Sequence, residues 1–344
     1  MKKRTKYILF GVLLIVALLS ASAIYIYTIV KTGFNINETV YIYIDEKKDY
    51  NDILTQLDTT AHIENLQNFE MISQYMDYPD NIKTGRYAIK PEMTVLQVVR
   101  LLNKGQQTPV NLKFNNIRTK TDLAERISKQ LMLNQNDLLS ALNDPNVCKA
   151  LGFDTETIVA MFIPNTYNIY WDISLNSFLD RMNSEYKKFW TEKRKGEAQK
   201  LGLTPIEVST LASIVEEECF YSDEYPVVAG LYLNRINKNM LLQADPTIKF
   251  AINDFSLKRV LNRHKDAAKS SPYSTYEHAG LPPGPIRVPS IKGIDGTLNP
   301  AKHNYLFMCA KEDFSGRHNF AVTNAEHERN AARYHNALNR RKIF

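Results

Sequence analysis

Residues 203–219, LTPIEVSTLASIVEEEC, predict the helix around which the larger part of the chain is organised. Thr204 is a natural N-cap, Pro205 suits the first helical turn, and Glu207 completes a capping box. The residues that follow form an apolar stripe at helical spacing, which predicts that the helix faces a core. The stripe consists of Val208, Leu211, Ala212, Val215 and Cys219.

Three consecutive glutamates end this helix. At about 100° per residue, Glu217 should point away from the apolar stripe into solvent, while Glu216 and Glu218 should lie on its two flanks. A carboxylate half-buried against a cleft has a raised pKa, which a general acid at neutral pH requires. The helical positions do not choose between Glu216 and Glu218, and a solvated acidic helix end is the alternative interpretation.

Composition excludes several classes of protein. The chain has 344 residues, is 44% apolar and 23% charged, and therefore predicts a globular fold. Its net charge of +6 is concentrated at the N-terminus, where Lys2, Lys3, Arg4 and Lys6 stand. The remainder carries no basic run interleaved with aromatics, so we expect no nucleic-acid partner. The chain shows no zinc-type Cys/His spacing, phosphate loop or dinucleotide fingerprint, so we expect no metal and no cofactor.

An uncharged apolar stretch follows the basic residues. Residues 1–6 predict a cytoplasmic basic tail and residues 7–30 a transmembrane helix, because about 20 apolar residues cross a bilayer. The alternative is a signal peptide cleaved after Ala21-Ser22-Ala23. Both interpretations place the rest of the chain outside the cytoplasm, and the first predicts a single-pass protein.

The exported part divides into two predicted domains of an α+β protein. Residues 35–107 predict a small β-α-α-β unit with a final helix, which resembles the LysM-like modules that bind wall glycans; a spacer is the alternative. Residues 108–344 predict a larger mixed α+β domain containing a mixed sheet. Within it, residues 174–195 predict one long amphipathic helix. Residues 243–290 are rich in turn formers, hydroxyls and tyrosines, which suits either a carbohydrate groove or a long surface loop.

Motifs in the order of a known family extend over about residues 160–335. The chain resembles the endolytic murein transglycosylase family, the YceG-like proteins of bacteria. The motifs are Phe162-x-Pro-x-Thr-Tyr167, Leu211-Ala-Ser-Ile-Val-Glu-Glu-Glu218, Tyr232-x-Asn-Arg235, Met240-x-Leu-Gln-x-Asp-Pro-Thr247, Tyr273-Ser-Thr-Tyr276, Gly280-Leu-Pro-Pro-Gly-Pro-Ile286, Asn299-Pro-Ala301, Tyr305-Leu-Phe307 and Gly316-x-His-x-Phe320.

The resemblance implies an enzyme that cleaves peptidoglycan without water. The bond would be the β-1,4 bond between N-acetylmuramic acid and N-acetylglucosamine, and the product a 1,6-anhydromuramyl end. It also implies that Glu216 is the single catalytic acid and base. The residues that we expect on the substrate side are Glu218, Gln243, Asp245, Thr247, Tyr273, Tyr276 and His318. Two positions depart from the family pattern: Ser274 replaces an asparagine and Asn165 an aspartate.

The expected setting is the bacterial cytoplasmic membrane, with the catalytic domain on the outer side. The partners would be nascent glycan strands and, by analogy with the family, peptidoglycan synthases such as penicillin-binding proteins. Two rival functions stay open. One is a non-enzymatic wall-binding scaffold, and the other is a hydrolytic muramidase with Asp245 as its second carboxylate.

Overall fold

The computed structural model describes residues 2–341 and shows a mixed α+β chain with two compact units. The first unit runs to Leu112 and also includes Gln130–Met132 and Tyr167–Ile173, and the second takes the rest of the described chain. Met1, in the predicted basic tail, and residues 342–344 lie outside the described residues.

The first unit begins with a long apolar helix, α1 (Lys2–Lys31). Its Lys6–Lys31 part is long and apolar enough to cross a membrane, a property that it shares with signal sequences. Its side chains are exposed along most of its length, whereas Ile29 near its end is buried in the core of this unit.

The remainder of the first unit has the predicted order of strands and helices. The elements are β1 (Val40–Ile44), α2 (Tyr50–Thr59), α3 (Leu66–Tyr75), β2 (Gly85–Ile89) and α4 (Val95–Lys104). The two strands pair antiparallel, with Val40 opposite Ile89. A capping box between Thr94 and Gln97 starts α4, and Gly105 ends it in the left-handed conformation that suits glycine (φ 66°). This order leaves the LysM-like character a prediction.

The second unit is mainly helical. Its helices are α5 (Lys120–Ser128), α6 (Gln135–Asn143), α7 (Pro145–Leu151), α8 (Leu175–Phe189), α9 (Glu192–Lys200), α10 (Pro205–Glu218), α11 (Tyr225–Asn237), α12 (Asp245–Ala251), α13 (Asn262–Ala267), α14 (Ile291–Leu298) and α15 (Asn324–Arg340). The 3₁₀ turn Ile158–Met161 precedes the fourth strand, and the 3₁₀ turn Ser222–Glu224 precedes α11.

The strands form only two-stranded sheets among the described residues. β3 (Val110–Lys113) pairs with β4 (Thr166–Ile169), and β5 (Phe307–Ala310) pairs antiparallel with β6 (His318–Ala321). The expected mixed sheet is therefore wrong. The pattern was misread because the second unit buries its apolar surface on helices, with α10 packed among α11, α12 and α14.

The prediction of one long helix over residues 174–195 is also wrong, because two helices, α8 and α9, share this stretch. Trp190 leaves the helical conformation and is buried, and the Thr191 side chain then caps α9 by accepting from the backbone N–H of Arg194. A capping residue inside an amphipathic pattern starts a new helix at little cost.

Candidate active site

The start of α10 follows from its sequence. The Thr204 side chain accepts from the backbone N–H of Glu207, and the Glu207 carboxylate accepts from that of Thr204 at 2.7 Å. Every residue from Val208 to Glu216 is buried, so the helix runs through the core of its unit. Its last turn places three carboxylates at the negative end of the helix dipole, where anions are disfavoured. Each carboxylate is therefore held by a partner from another element.

Glu216 is held by the residues that begin α14. Its Oε1 accepts from the backbone N–H of Ser290 at 2.7 Å and from the Ser290 hydroxyl, and Arg287 Nε lies 3.6 Å from Oε2. Burial raises the pKa of Glu216, while the Ser290 hydrogen bonds and Arg287 oppose that rise. Gly293 lies so close that a Cβ there would stand 1.9 Å from Oε1. Glu216 is thus a buried carboxylate with one oxygen hydrogen-bonded to Ser290 and the other beside Arg287.

Glu217 does not point into solvent, which corrects the expectation from the helical wheel. Its side chain is only 14% exposed. Arg118 donates to both carboxylate oxygens at 3.1 and 3.0 Å, and Arg287 Nη1 donates to Oε1 at 2.7 Å. The wheel failed because it considers only the apolar stripe of α10, whereas two arginines distant in sequence cover the opposite face.

Glu218 lines a cavity of about 310 Å³. Its Oε1 accepts a hydrogen bond from the Tyr232 hydroxyl at 2.8 Å. Burial is the main reason that the pKa of Glu218 is raised to about 7, and nearby Asp245 adds to the rise while the Tyr232 hydrogen bond opposes it. A carboxyl group with this pKa can both donate and accept a proton near neutral pH.

The structure gathers four further predicted site residues around the same cavity as Glu218. These are Gln243, Asp245, Tyr276 and His318. The Tyr276 hydroxyl donates to Asp245 Oδ1 at 2.7 Å, which fixes both side chains. Gln243 has a positive φ of 51°, an uncommon conformation for a residue with a Cβ, and such backbone strain is concentrated at functional sites.

Two other predicted residues lie outside this cavity. Thr247 is fully buried and shares a hydrogen bond of 2.9 Å with Thr275, a contact that joins α12 to the loop before α14. Tyr273 lines a different cavity, of about 380 Å³, and donates to Glu156 Oε2 at 2.8 Å. Substrate contact at either residue stays a prediction, and both have evident structural contacts.

The two departures from the family pattern lie in different surroundings. Ser274 is fully buried, and within residues 2–341 its hydroxyl has no hydrogen-bond partner. Asn165 is exposed and accepts from the backbone N–H of Thr166 at 2.8 Å. Ser274 is therefore inaccessible to substrate in this conformation, whereas Asn165 organises its own turn.

Tyr232 and Arg235 on α11 were predicted only as parts of a motif and not as site residues, yet both line the cavity. Arg235 donates to three backbone carbonyls, of Leu306 at 2.6 Å, Leu241 at 3.1 Å and Leu242 at 2.8 Å. Burial lowers the pKa of Arg235. The available signal was their spacing, because residues three apart share one face of a helix.

The comparisons agree with the fold and the motifs. The model of the YceG-like family matches residues 42–333, so the chain belongs to the YceG-like family. A crystal structure of a YceG-like protein from Listeria monocytogenes, 25% identical, superposes with a TM-score of 0.56 over 85% of this chain and 99% of that one.

Curated relatives from Streptococcus pneumoniae and Bacillus subtilis carry the name endolytic murein transglycosylase. The one from Streptococcus pneumoniae serotype 2 (strain D39) is 26% identical over 365 residues, which cover 94% of this chain and 64% of that protein. The one from Bacillus subtilis (strain 168) is 33% identical over 168 residues, which cover 49% of this chain and 45% of that protein. The chain thus spans less than two thirds of the length of these relatives.

Proposed function

We propose that the protein is a peptidoglycan lytic transglycosylase that acts within glycan strands. The observation that carries this proposal is Glu218, whose pKa is raised to about 7 in a cavity that also contains Gln243, Asp245, Tyr276 and His318. A cavity rich in amide, hydroxyl and carboxyl groups suits the hydroxyl-rich face of a sugar chain. The names of the relatives support the same activity.

The reaction needs one carboxyl group that acts twice. As an acid, it protonates the glycosidic oxygen that leaves C1 of the N-acetylmuramic acid. As a carboxylate, it then takes the proton from the C6 hydroxyl of the same sugar while that oxygen attacks C1. One bond breaks and one forms, no water is consumed, and the glycan ends in a 1,6-anhydromuramyl residue.

Two glutamates compete for this role. The family resemblance assigns it to Glu216, and that assignment stays a proposal. The geometry favours Glu218, because Glu218 lines the cavity whereas both oxygens of Glu216 face Ser290 and Arg287. If Glu216 is the acid, Glu218 would be a supporting carboxylate. If Glu218 is the acid, Glu216 would anchor α14.

A product analysis with matched variants tests the proposal. The full chain, purified in detergent, is incubated with intact glycan strands as wild type, Glu216→Gln, Glu217→Gln and Glu218→Gln, and the ends are identified by mass spectrometry. We expect anhydromuramyl ends from the wild type and a loss of about 10²–10⁴-fold in Glu218→Gln with its fold kept. Loss in a folded Glu216→Gln with activity kept in Glu218→Gln would instead assign the role to Glu216.

A hydrolytic muramidase is the second candidate, because Asp245 lies in the same cavity as Glu218. An inverting hydrolase needs a second carboxylate to activate water, and a retaining one needs it as the nucleophile. However, Asp245 already accepts the Tyr276 hydroxyl, which orients it within the protein. Reducing ends instead of anhydro ends in the same experiment would establish the hydrolase. Strand binding without any product would point to a wall-binding scaffold.

We also propose that α1 anchors the protein in the cytoplasmic membrane as a single span. The basic residues at the N-terminus would stay in the cytoplasm, and the catalytic unit would face nascent peptidoglycan and its synthases. N-terminal sequencing of the membrane-bound protein tests this point. A mature chain that begins after Ala23 would establish a cleaved signal sequence instead.

The first unit offers a place where glycan could bind. A cavity of about 480 Å³ in this unit is lined partly by Lys90, Gln97, Arg100, Lys104 and Gln106. We propose that it contacts wall glycan, as the LysM-like resemblance implies. The test compares glycan-strand binding by the Glu218→Gln chain with binding by the same chain carrying Gln97→Ala and Gln106→Ala. Equal binding would mean that the first unit is a spacer.

A further inference from the structure

Cys219, Glu224 and His318 meet at one point of the second unit. They come from the end of α10, the turn before α11 and the start of β6. Sγ of Cys219, a carboxylate oxygen of Glu224 and a ring nitrogen of His318 all lie within 4.8 Å of one another. Cys219 and Glu224 are only 6% and 7% exposed. We propose that these three residues form a zinc-binding site.

The ligand types match zinc. Zn²⁺ takes thiolate, imidazole and carboxylate ligands, and the two anionic ligands here would offset its double charge. Asp223 and Glu218 also lie near the thiol, so the surroundings of Cys219 are negative. Asp223 is already paired with Arg317 at 3.0 Å, so the charge that a divalent cation would compensate is chiefly that of the ligands themselves and of Glu218.

The geometry is close to that of a zinc site. Glu224 Oε2 and His318 Nδ1 are 3.1 Å apart. Two ligands about 2.0–2.1 Å from a tetrahedral zinc ion lie about 3.3–3.4 Å from each other, so this pair needs little adjustment. In a tetrahedral site the sulfur lies about 3.5 Å from the other ligands, so from within 4.8 Å the thiol would have to move inward by no more than about 1.3 Å.

The Glu224 carboxylate is already oriented by the protein. Its Oε1 accepts from the backbone N–H of His318 at 3.1 Å, which leaves Oε2 directed at the imidazole. Hydrogen bonds of this kind hold metal ligands in position and are a regular feature of zinc sites. No sequence pattern marks the site, because its three ligands come from separate elements and show no zinc-type spacing.

Zinc at this site would affect the cavity as well. His318 lines the cavity that contains Glu218, so an ion on its Nδ1 would fix the ring beside Glu218. Three protein ligands leave the fourth zinc position open to water or substrate. An imidazole held by zinc could not turn toward glycan, so we expect zinc to inhibit glycan cleavage. This consequence rests on the proposed function, whereas zinc binding itself does not.

Cobalt titration of the purified, reduced full chain tests binding without reference to activity. Co²⁺ substitutes for zinc, and a thiolate ligand gives an intense near-ultraviolet charge-transfer band. We expect one equivalent to produce this band and Zn²⁺ to remove it. Cys219→Ser and Cys219→Ala should abolish the band, with the fold checked by circular dichroism. Glu224→Gln should weaken binding at least about 10-fold.

The other two cysteines provide matched controls. Cys148 is buried elsewhere in the unit, and Cys309 lines the cavity, so Cys148→Ser and Cys309→Ser should keep the band. A wild type without the band, or a band that survives in Cys219→Ser, would overturn the site. Zinc inhibition of the wild type and not of Cys219→Ser, reversed by a chelator, would support the regulatory role. Equal activity with and without zinc in a chain that shows the band would overturn that role alone.

Discussion

The Tyr232 hydroxyl donates a 2.8 Å hydrogen bond to Glu218 Oε1 and so joins the end of α10 to the middle of α11. Burial raises the pKa of Glu218, and this hydrogen bond opposes that rise by stabilising the charged carboxylate. The two largest influences on the protonation of Glu218 are therefore its burial and the hydrogen bond from one tyrosine.

Tyr232→Phe should move the pH profile of glycan cleavage to higher pH. Without the hydroxyl the pKa of Glu218 rises further above about 7, so the acid form persists at higher pH. The alkaline limb of kcat/KM, which reports ionisation of the free enzyme, should shift upward. The rate at its new optimum should change by less than about 10-fold, because Glu218 itself is kept.

Tyr50→Phe is the matched control for this prediction. The Tyr50 hydroxyl shares a 2.6 Å hydrogen bond with Ser73 in the first unit, so its removal should leave the profile unchanged. A profile that does not move in Tyr232→Phe would mean that Glu218 is not the acid whose ionisation limits the reaction.

Glu218→Gln should stabilise the fold at alkaline pH. The folded pKa of about 7 is above the unfolded value of 4.5, so the folded chain binds more protons between those values. Stability contributed by Glu218 is therefore lost as pH rises through this window. We expect Glu218→Gln to gain about 3 kcal/mol at pH 8 and nothing at pH 4, measured by urea unfolding. A difference between the two proteins that is independent of pH would contradict the raised pKa.

The sequence allowed the bounds of α10 to be predicted, because its capping box and first proline act locally. The same local reasoning failed for Glu217. Its two arginine partners are 99 and 70 residues away in the chain, and no pattern within one helix reveals them. The start of a helix could be predicted from neighbouring residues in the sequence, whereas charge pairing depends on the tertiary fold.

Glu217→Gln should destabilise the protein, contrary to what a solvent-facing residue would imply. The change removes the charge that pairs with both Arg118 and Arg287, and Arg287 is only 13% exposed. Arg287 would keep only its longer contact with Glu216, 3.6 Å from Nε to Oε2, so we expect a loss of about 1–3 kcal/mol in urea unfolding. The control is Glu125→Gln, which breaks an exposed pair with Lys129 and should cost less than about 0.5 kcal/mol. Equal losses in the two variants would show that the arginine pair contributes no more than a surface contact.

The candidate site was also predictable only in part. The order of the motifs predicted Gln243, Asp245, Tyr276 and His318 as site residues. The structure places all four around one cavity with Glu218. Tyr273 came from the same tyrosine motif, yet its hydroxyl is directed at Glu156 beside another cavity. In a loop without regular periodicity, no sequence pattern shows where each side chain points. The motif therefore predicted site residues but not the cavity that each of them lines.

Gly293→Ala should distinguish the roles of Glu216 and Glu218, because the new methyl group would displace the Glu216 carboxylate. The new Cβ would stand 1.9 Å from Glu216 Oε1, so the carboxylate would have to leave the Ser290 N–H and hydroxyl. We expect a loss of about 1–3 kcal/mol, the usual effect of overpacking a core. The control is Gly196→Ala in α9, where a Cβ meets nothing within 4 Å and should stabilise by about 0.5–1 kcal/mol. If Glu218 is the acid, folded Gly293→Ala should retain most of its cleavage of glycan strands. Loss of cleavage below the unfolding temperature, with activity intact in Gly196→Ala, would instead favour Glu216 as the acid.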